Sequence, residues 1–298
     1  MTRPTAAAVV RAAMAVALAG MIAACGPAAP SGSLVSTPPP SAAIASPATS
    51  TSPPSSGPTG ETIELIVYAA ASLSGPLDAL TAAYAQVAPD IKLTISTGAS
   101  SALRAQIEQG APADVFLSAD TTNPSALVTA GLTAGEAKLI AANRLAIIVP
   151  TANPAAVRAP ADLARPGLKI VAAGEAVPIT RYADEQVEKL SALEGYPTGF
   201  AAAYAANIVS REDDVKAVVA KIELGEGDAA IVYSTDATAS DAVTTIDIPP
   251  EAAVTASYAG AVIGRSPHLD EARAFLDWLN GSDAQEVLGT FGFLPPGT

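Results

Sequence analysis

From Thr62 onward the chain alternates between two hydrophobic rhythms. Short apolar and β-branched runs, such as Ile63-Glu-Leu-Ile-Val-Tyr68, read as strands, and stretches with apolar residues three and four apart read as helices. Leu77, Leu80, Tyr84 and Val87 share one helical face, and Pro89 closes that helix. Residues 91–97 form the next predicted strand. A Gly-Ala-Ser-Ser turn follows, then a short helix over 103–109 that Gly110 stops. Further strands are expected at 114–119, 145–150, 168–172, 229–233 and 258–264, with a helix that gathers Val215, Val218, Val219 and Ile222. Alternation of this kind predicts an α/β architecture with mainly parallel sheets. The sequence shows no internal repeat.

The first sixty residues follow neither rhythm. Arg3 and Arg11 precede an apolar run over 12–24, and Cys25 comes next. The run falls short of the ~20 residues a helix needs to span a bilayer, so it reads as a secretion signal. Ile22-Ala-Ala-Cys25 resembles the lipobox of bacterial lipoproteins. That resemblance implies cleavage before Cys25 and a diacylglycerol on its thiol, and two acyl chains suffice for stable attachment. An ordinary cysteine behind a signal segment is the alternative. Residues 26–60 hold nine prolines, many Ser, Thr and Ala, and no charge or aromatic ring. Such a segment buries too little apolar surface to offset its ordering entropy, so a semi-stiff stalk is expected. The expected organisation is therefore a signal peptide over 1–24, a lipidated Cys25 with its stalk over 25–60, and a folded part from 61.

Charge narrows the partners. The chain has 16 basic and 29 acidic residues, and both bases of the first sixty are Arg3 and Arg11. Residues 61–298 thus carry 14 bases and all 29 acids, a formal −15. That field repels nucleic acid and anionic lipid, so a nucleic-acid partner is not expected and membrane contact is left to the anchor. Cys25 and His268 are the only residues of their kinds. An intrachain disulfide, a thiolate metal cluster and a multi-histidine site are thereby excluded.

In open α/β sheets, ligands bind beyond the carboxyl ends of the strands, where helix N-termini point. Three such junctions are rich in small hydroxyl residues: 69–74 with Ser72, 97–101 with Ser100, and 177–180 with Thr180. Ser72 and Ser100 each suit two roles. Either serine can cap a helix; together they can hold an anion beside free N–H groups. Gly98-Ala-Ser100-Ser-Ala102 is also a loose nucleophile elbow, with Ala in place of the final Gly. A serine hydrolase would need His268 as its base, and His268 follows Pro267 at a surface helix start. Phe275 and Trp278 read as core. Tyr233 ends a strand just before Ser234-Thr-Asp236, which puts its hydroxyl at the rim of the sheet.

Three segments resemble the molybdate-binding proteins of bacterial ABC importers. They are Val67-Tyr-Ala-Ala-Ala-Ser-Leu73, Gly110-Ala-Pro-Ala-Asp-Val-Phe-Leu-Ser-Ala-Asp120 and Ile231-Val-Tyr-Ser-Thr-Asp-Ala237, and the similarity runs from about 63 to 293. The resemblance implies a two-lobed type II periplasmic-binding-protein fold with hinge crossings. Lobe one would be 61–144 plus 254–298, and lobe two 145–253. It implies a ligand set of Ser72 and Ser100 through hydroxyl and backbone N–H, Tyr233 through its phenol, and the backbone N–H groups of Ile179 and Val215. Molybdenum would enter only as molybdate, with tungstate indistinguishable from it. The expected protein is a monomeric, non-enzymatic, extracytoplasmic lipoprotein without a cofactor, delivering its anion to ABC permease subunits.

Two positions depart from the family pattern. Thr180 stands where Gly is usual, and could add a hydroxyl donor. Ser210 competes with Asp213 and Asp214 to cap the helix that carries Val215. The proposed donors suit a fully deprotonated dianion, because hydrogen phosphate carries a proton that wants an acceptor. Another oxyanion or small organic anion remains the main alternative ligand.

Overall fold

The structure is a computed structural model and describes residues 62–298; the expected signal segment, Cys25 and the expected stalk lie outside the described residues. Its strands are β1 (Ile63–Ala70), β2 (Ile91–Gly98), β3 (Val115–Ser118), β4 (Lys138–Pro150), β5 (Ile170–Ala173), β6 (Ile208–Glu212), β7 (Ala230–Tyr233), β8 (Val243–Ile246) and β9 (Thr255–Val262). The α-helices are α1 (Ser74–Val87), α2 (Ser100–Glu108), α3 (Thr122–Thr129), α4 (Pro178–Ser191), α5 (Phe200–Ala206), α6 (Val215–Glu223), α7 (Ser234–Thr238), α8 (Leu269–Trp278) and α9 (Ser282–Thr290).

The α/β class holds, but the expectation of mainly parallel sheets does not. β1 pairs in parallel with β2 and β3, and β5 with β6. β9 then runs antiparallel between β3 and β4, and β4 pairs antiparallel with β7 and β8 as well. Alternating elements predict direction only where each connection is a simple crossover. Here β9 returns to the first sheet from more than a hundred residues away, and nothing local sets its sense.

β4 is much longer than its predicted stretch because it belongs to both halves of the sheet system. Up to Arg144 it pairs with β9, Arg144 standing opposite Thr255. From Leu145 it pairs with β7, Leu145 standing opposite Tyr233. A parallel bridge from Ile170 to Ala229 joins β5 and β6 to this second group. β3 and β7 are buried along their whole length, as strands covered on both faces must be.

The Gly110–Asp120 stretch is structural at both ends. Asp114 is buried; its Oδ2 accepts from the Ile66 N–H at 2.6 Å, and its Oδ1 accepts from the Ser266 hydroxyl. That ties β3 to β1 and to the start of α8. Asp120 Oδ1 accepts from the Ser118 hydroxyl at 2.9 Å and from the Asn123 N–H at 3.0 Å, which holds the entry to α3. Two buried carboxylates are tolerable here because each is fully engaged by donors. α1 packs Leu77, Leu80 and Tyr84 inward, and the Tyr84 ring meets Phe275 edge-on at 4.9 Å. Phe275 is core as expected, whereas Trp278 is only half-buried.

Candidate functional site

The carboxyl ends of β1, β2, β3, β5, β6 and β7 converge on one cleft. Ser72, Ser100, Ile179, Val215 and Tyr233, the five residues singled out from sequence, all line it, around about 210 Å³ of free space that includes its mouth. Ala119, at the end of β3, completes the floor between the two serines.

Neither serine caps a helix. Ser72 lies inside a single 3-10 turn, Ala71–Leu73, that leads into α1, and Leu73 stands at the N-cap of that helix. Ser100 is the first residue of α2, behind Ala99, and makes no cap bond. The capping alternative therefore falls for both. The Ser72 hydroxyl instead accepts from the Tyr258 hydroxyl at 2.8 Å, and Ser100 Oγ accepts from the Ala119 N–H at 3.1 Å. Both serines are buried, at 3 % and 1 % exposure.

The two backbone candidates, Ile179 and Val215, lie at helix N-termini. Asp214 caps α6, its Oδ1 accepting from the Ala217 N–H at 3.0 Å, so Val215 is the first helical residue and its N–H has no acceptor within the helix. Ser210 does not compete; it lies in β6 and donates to Glu212 Oε1 at 2.8 Å. In α4, Pro178 occupies the first position and Ile179 the second, which leaves the Ile179 N–H equally free. Thr180 adds no donor to the cleft. Its hydroxyl turns back to the carbonyls of Ala173 and Gly174, at 3.1 and 2.9 Å, and ties α4 to the end of β5.

Tyr233 ends β7 with 1 % exposure, and its hydroxyl has no hydrogen-bond partner among the described residues. Burial holds its pKa well above the usual tyrosine value, with the neighbouring Tyr258 and Tyr182 adding to the effect, so it stays a neutral donor. The ring is fixed by Tyr258 at 5.6 Å and Tyr182 at 6.5 Å. A buried phenol without a partner is costly, and a ligand that accepts from it relieves the cost. Two serine hydroxyls, one phenol and two helix-end amides make a set of donors. Among the described residues Asp214 is the only charged one on the lining, and its carboxylate is engaged in capping.

Sequence reasoning missed the layer behind these donors. Tyr258 and Asn143 are both fully buried; Asn143 donates to Thr235 Oγ1 at 2.9 Å and accepts from the Ser234 hydroxyl at 3.0 Å. Nothing in the local pattern distinguishes Tyr258 from a core aromatic. His268 stands apart at the start of α8, with Glu64, Asp114 and Arg265 around a different hollow. The Ser100–His268 pairing that a hydrolase would require is not formed.

A cleft of donors at the carboxyl ends of strands, between sheets that share one continuous strand, is the arrangement of a solute-binding protein. The chain belongs to the bacterial extracellular solute-binding protein family, whose family model matches residues 65–294. This is a family of binding proteins, not enzymes. The molybdate-binding protein ModA of Mycobacterium tuberculosis H37Rv is 34% identical over 250 residues, covering 83% of this chain and 91% of the relative. Among solved structures, the periplasmic molybdate-binding protein of Azotobacter vinelandii superposes with a TM-score of 0.65 at 23% identity, covering 78% of this chain and 99% of that one. The sulfate-binding protein SubI of Mycobacterium tuberculosis H37Rv gives 0.69 at 21% identity, over 78% and 87%. At those identities the two structures speak for the fold, which is the type II periplasmic-binding-protein fold.

Proposed function

We propose that the chain captures molybdate, and tungstate with it, in this cleft and delivers it to an ABC importer. The observation that carries the reading is the Tyr233 hydroxyl, buried without a partner beside two serine hydroxyls and two free helix-end amides. A tetrahedral dianion without protons accepts from all of them and needs nothing that accepts in return. The name of the Mycobacterium tuberculosis relative supports molybdate as the anion.

The lobes are 61–144 with 254–298, and 145–253. The partner change of β4 between Arg144 and Leu145 supports that division, with the return near Thr255 as the second crossing. Ser72 and Ser100 then face Ile179, Val215 and Tyr233 across the hinge, so one anion bridges both lobes and favours their closed form. Docking of that closed form on the permease subunits completes the cycle, with the protein working as a monomer. Cys25 anchors it to the extracytoplasmic face of the membrane through lipid. Cys25→Ala moves it to the soluble extracytoplasmic fraction; a variant still carrying lipid by mass spectrometry rules the anchor out.

A thermal-shift screen of four oxyanions tests the function. Ligand in thousandfold excess over Kd stabilises the folded state by about 4 kcal/mol. For a chain of this size that raises the midpoint by on the order of 10 °C. Molybdate and tungstate produce that shift, and sulfate and phosphate little. A large shift with sulfate alone transfers the reading to a sister oxyanion, and no shift with any of the four removes it.

A further inference from the structure

Tyr258 lines no part of the cleft, yet its hydroxyl lies 2.8 Å from Ser72 Oγ, with both residues buried. Its ring is wedged between Tyr233 at 5.6 Å and Phe293 at 5.5 Å, the latter edge-on, so the hydroxyl cannot swing away. A phenol is a stronger acid than an aliphatic alcohol, so in this pair Tyr258 donates and Ser72 accepts. With one Ser72 lone pair filled in this way, the serine's own hydrogen must point elsewhere. Among the described residues no protein group accepts from it, and Ser72 lines the cleft, where a bound anion would. Ser100 is held in the same sense by the Ala119 N–H at 3.1 Å.

We propose that Tyr258 is a positioning residue that fixes Ser72 as a hydrogen donor and so sets the preference of the cleft for an anion carrying no proton. The inference rests on the anion-binding reading above. A ligand that brings its own proton asks Ser72 to accept it, which strands the serine hydrogen in a buried place without an acceptor. Removal of the phenol hydroxyl frees Ser72 to turn its hydrogen toward either side, and the discrimination falls.

The test is calorimetry on the full chain at about pH 8 with two probes, molybdate and inorganic phosphate. Wild type, Tyr258→Phe, Ser72→Ala and the double variant are compared. Tyr258→Phe is expected to bind molybdate about tenfold more weakly, about 1.4 kcal/mol. Its affinity for phosphate stays level or rises, so the ratio of the two contracts. In the Ser72→Ala background the same change has no further effect, because Tyr258 acts through that serine. The melting midpoint of ligand-free Tyr258→Phe checks the fold, and Tyr258→Met serves as a second hydroxyl-free variant with the same expected outcomes. Unchanged selectivity, equal losses for both anions, or a full loss from Tyr258→Phe on top of Ser72→Ala would overturn the proposal. A wild type that binds no molybdate overturns the function itself, a separate result.

Discussion

Arg181 Nη2 lies 3.6 Å from Asp120 Oδ2, pairing the first turns of α4 with the end of β3 beside the cleft. The two partners are unequal. Asp120 is buried and already holds Ser118 and Asn123, whereas Arg181 is half-exposed and lies 4.4 Å over the Tyr182 ring. If the lobes divide as proposed, this pair forms only when they close. Its strength is that of a partly solvated bridge, about 0.2–1 kcal/mol. Arg181→Ala should therefore weaken anion affinity by only about 1.4- to fivefold in calorimetry at low salt. The difference from wild type should shrink in ~1 M salt, where charges are screened within ~3 Å. An Arg181→Ala variant with unchanged affinity at low salt shows that the pair contributes nothing to closure.

Tyr233→Phe is expected to move stability and affinity in opposite directions. The wild-type hydroxyl is buried without a partner, so deleting it removes a desolvated group that nothing in the protein satisfies. Ligand-free Tyr233→Phe should gain about 1 kcal/mol in urea unfolding, against the usual cost of a lost polar contact. With the anion bound, the same deletion removes a hydrogen bond to a charged acceptor, a loss of about 1.5–3 kcal/mol or ten- to a hundredfold in Kd. A variant less stable than wild type without ligand shows that the hydroxyl has a partner in the free protein.

How much of this was legible beforehand depends on where each interaction begins. Ser72, Ser100, Ile179, Val215 and Tyr233 all lie at strand–helix junctions; the family resemblance names them together, and the structure brings them to one cleft. Their local state was another matter. Ser72 and Ser100 looked like caps because Ser is a favoured cap, and only tertiary partners, Tyr258 and the Ala119 amide, show otherwise. The short, half-exposed β6 and β8 carry too weak a pattern to predict, and the pattern of β4 marks only its second half. Tyr258 could not be found at all, since its partner is 186 residues distant in sequence.

Gly260 tests how closely α8 sits on β9. A Cβ added there would meet Leu276 Cδ1 at 2.5 Å and Leu117 Cδ2 at 3.0 Å, both in buried side chains. Glycine lets the helix approach the strand directly. Gly260→Ala makes Leu276 move and crowds Leu117 in a close-packed core, at about 1–3 kcal/mol. The loss should appear as a lower urea midpoint with an unchanged m-value, and molybdate affinity should stay within about twofold because Gly260 lines no part of the cleft. Wild-type stability in this variant would mean that the leucines relax freely.

Asp236 supplies a pH dependence of unusual sign. It is 1 % exposed in the first turn of α7, and burial raises its pKa from 3.8 to about 6. The nearby Asp214 pushes the same way, while the Lys216 ammonium, 2.8 Å from Oδ1, pulls it back only in part. The folded protein thus holds this proton more tightly than the unfolded chain does. The resulting stabilisation is fully present below about pH 4 and is lost as pH rises through about 6, with a total on the order of 3 kcal/mol. Asp162 acts in the opposite sense, because the Arg158 N–H holds its carboxyl below the usual value, so the wild-type curve alone mixes the two. Comparison with Asp236→Asn isolates the term. Urea unfolding at several pH values should find the variant more stable than wild type at pH 7.5, by up to that amount. The gap should close as pH falls from about 6.5 to 4. A gap that widens on acidification, or a variant less stable at pH 7.5, would show that the Lys216 pair outweighs the burial of the carboxylate.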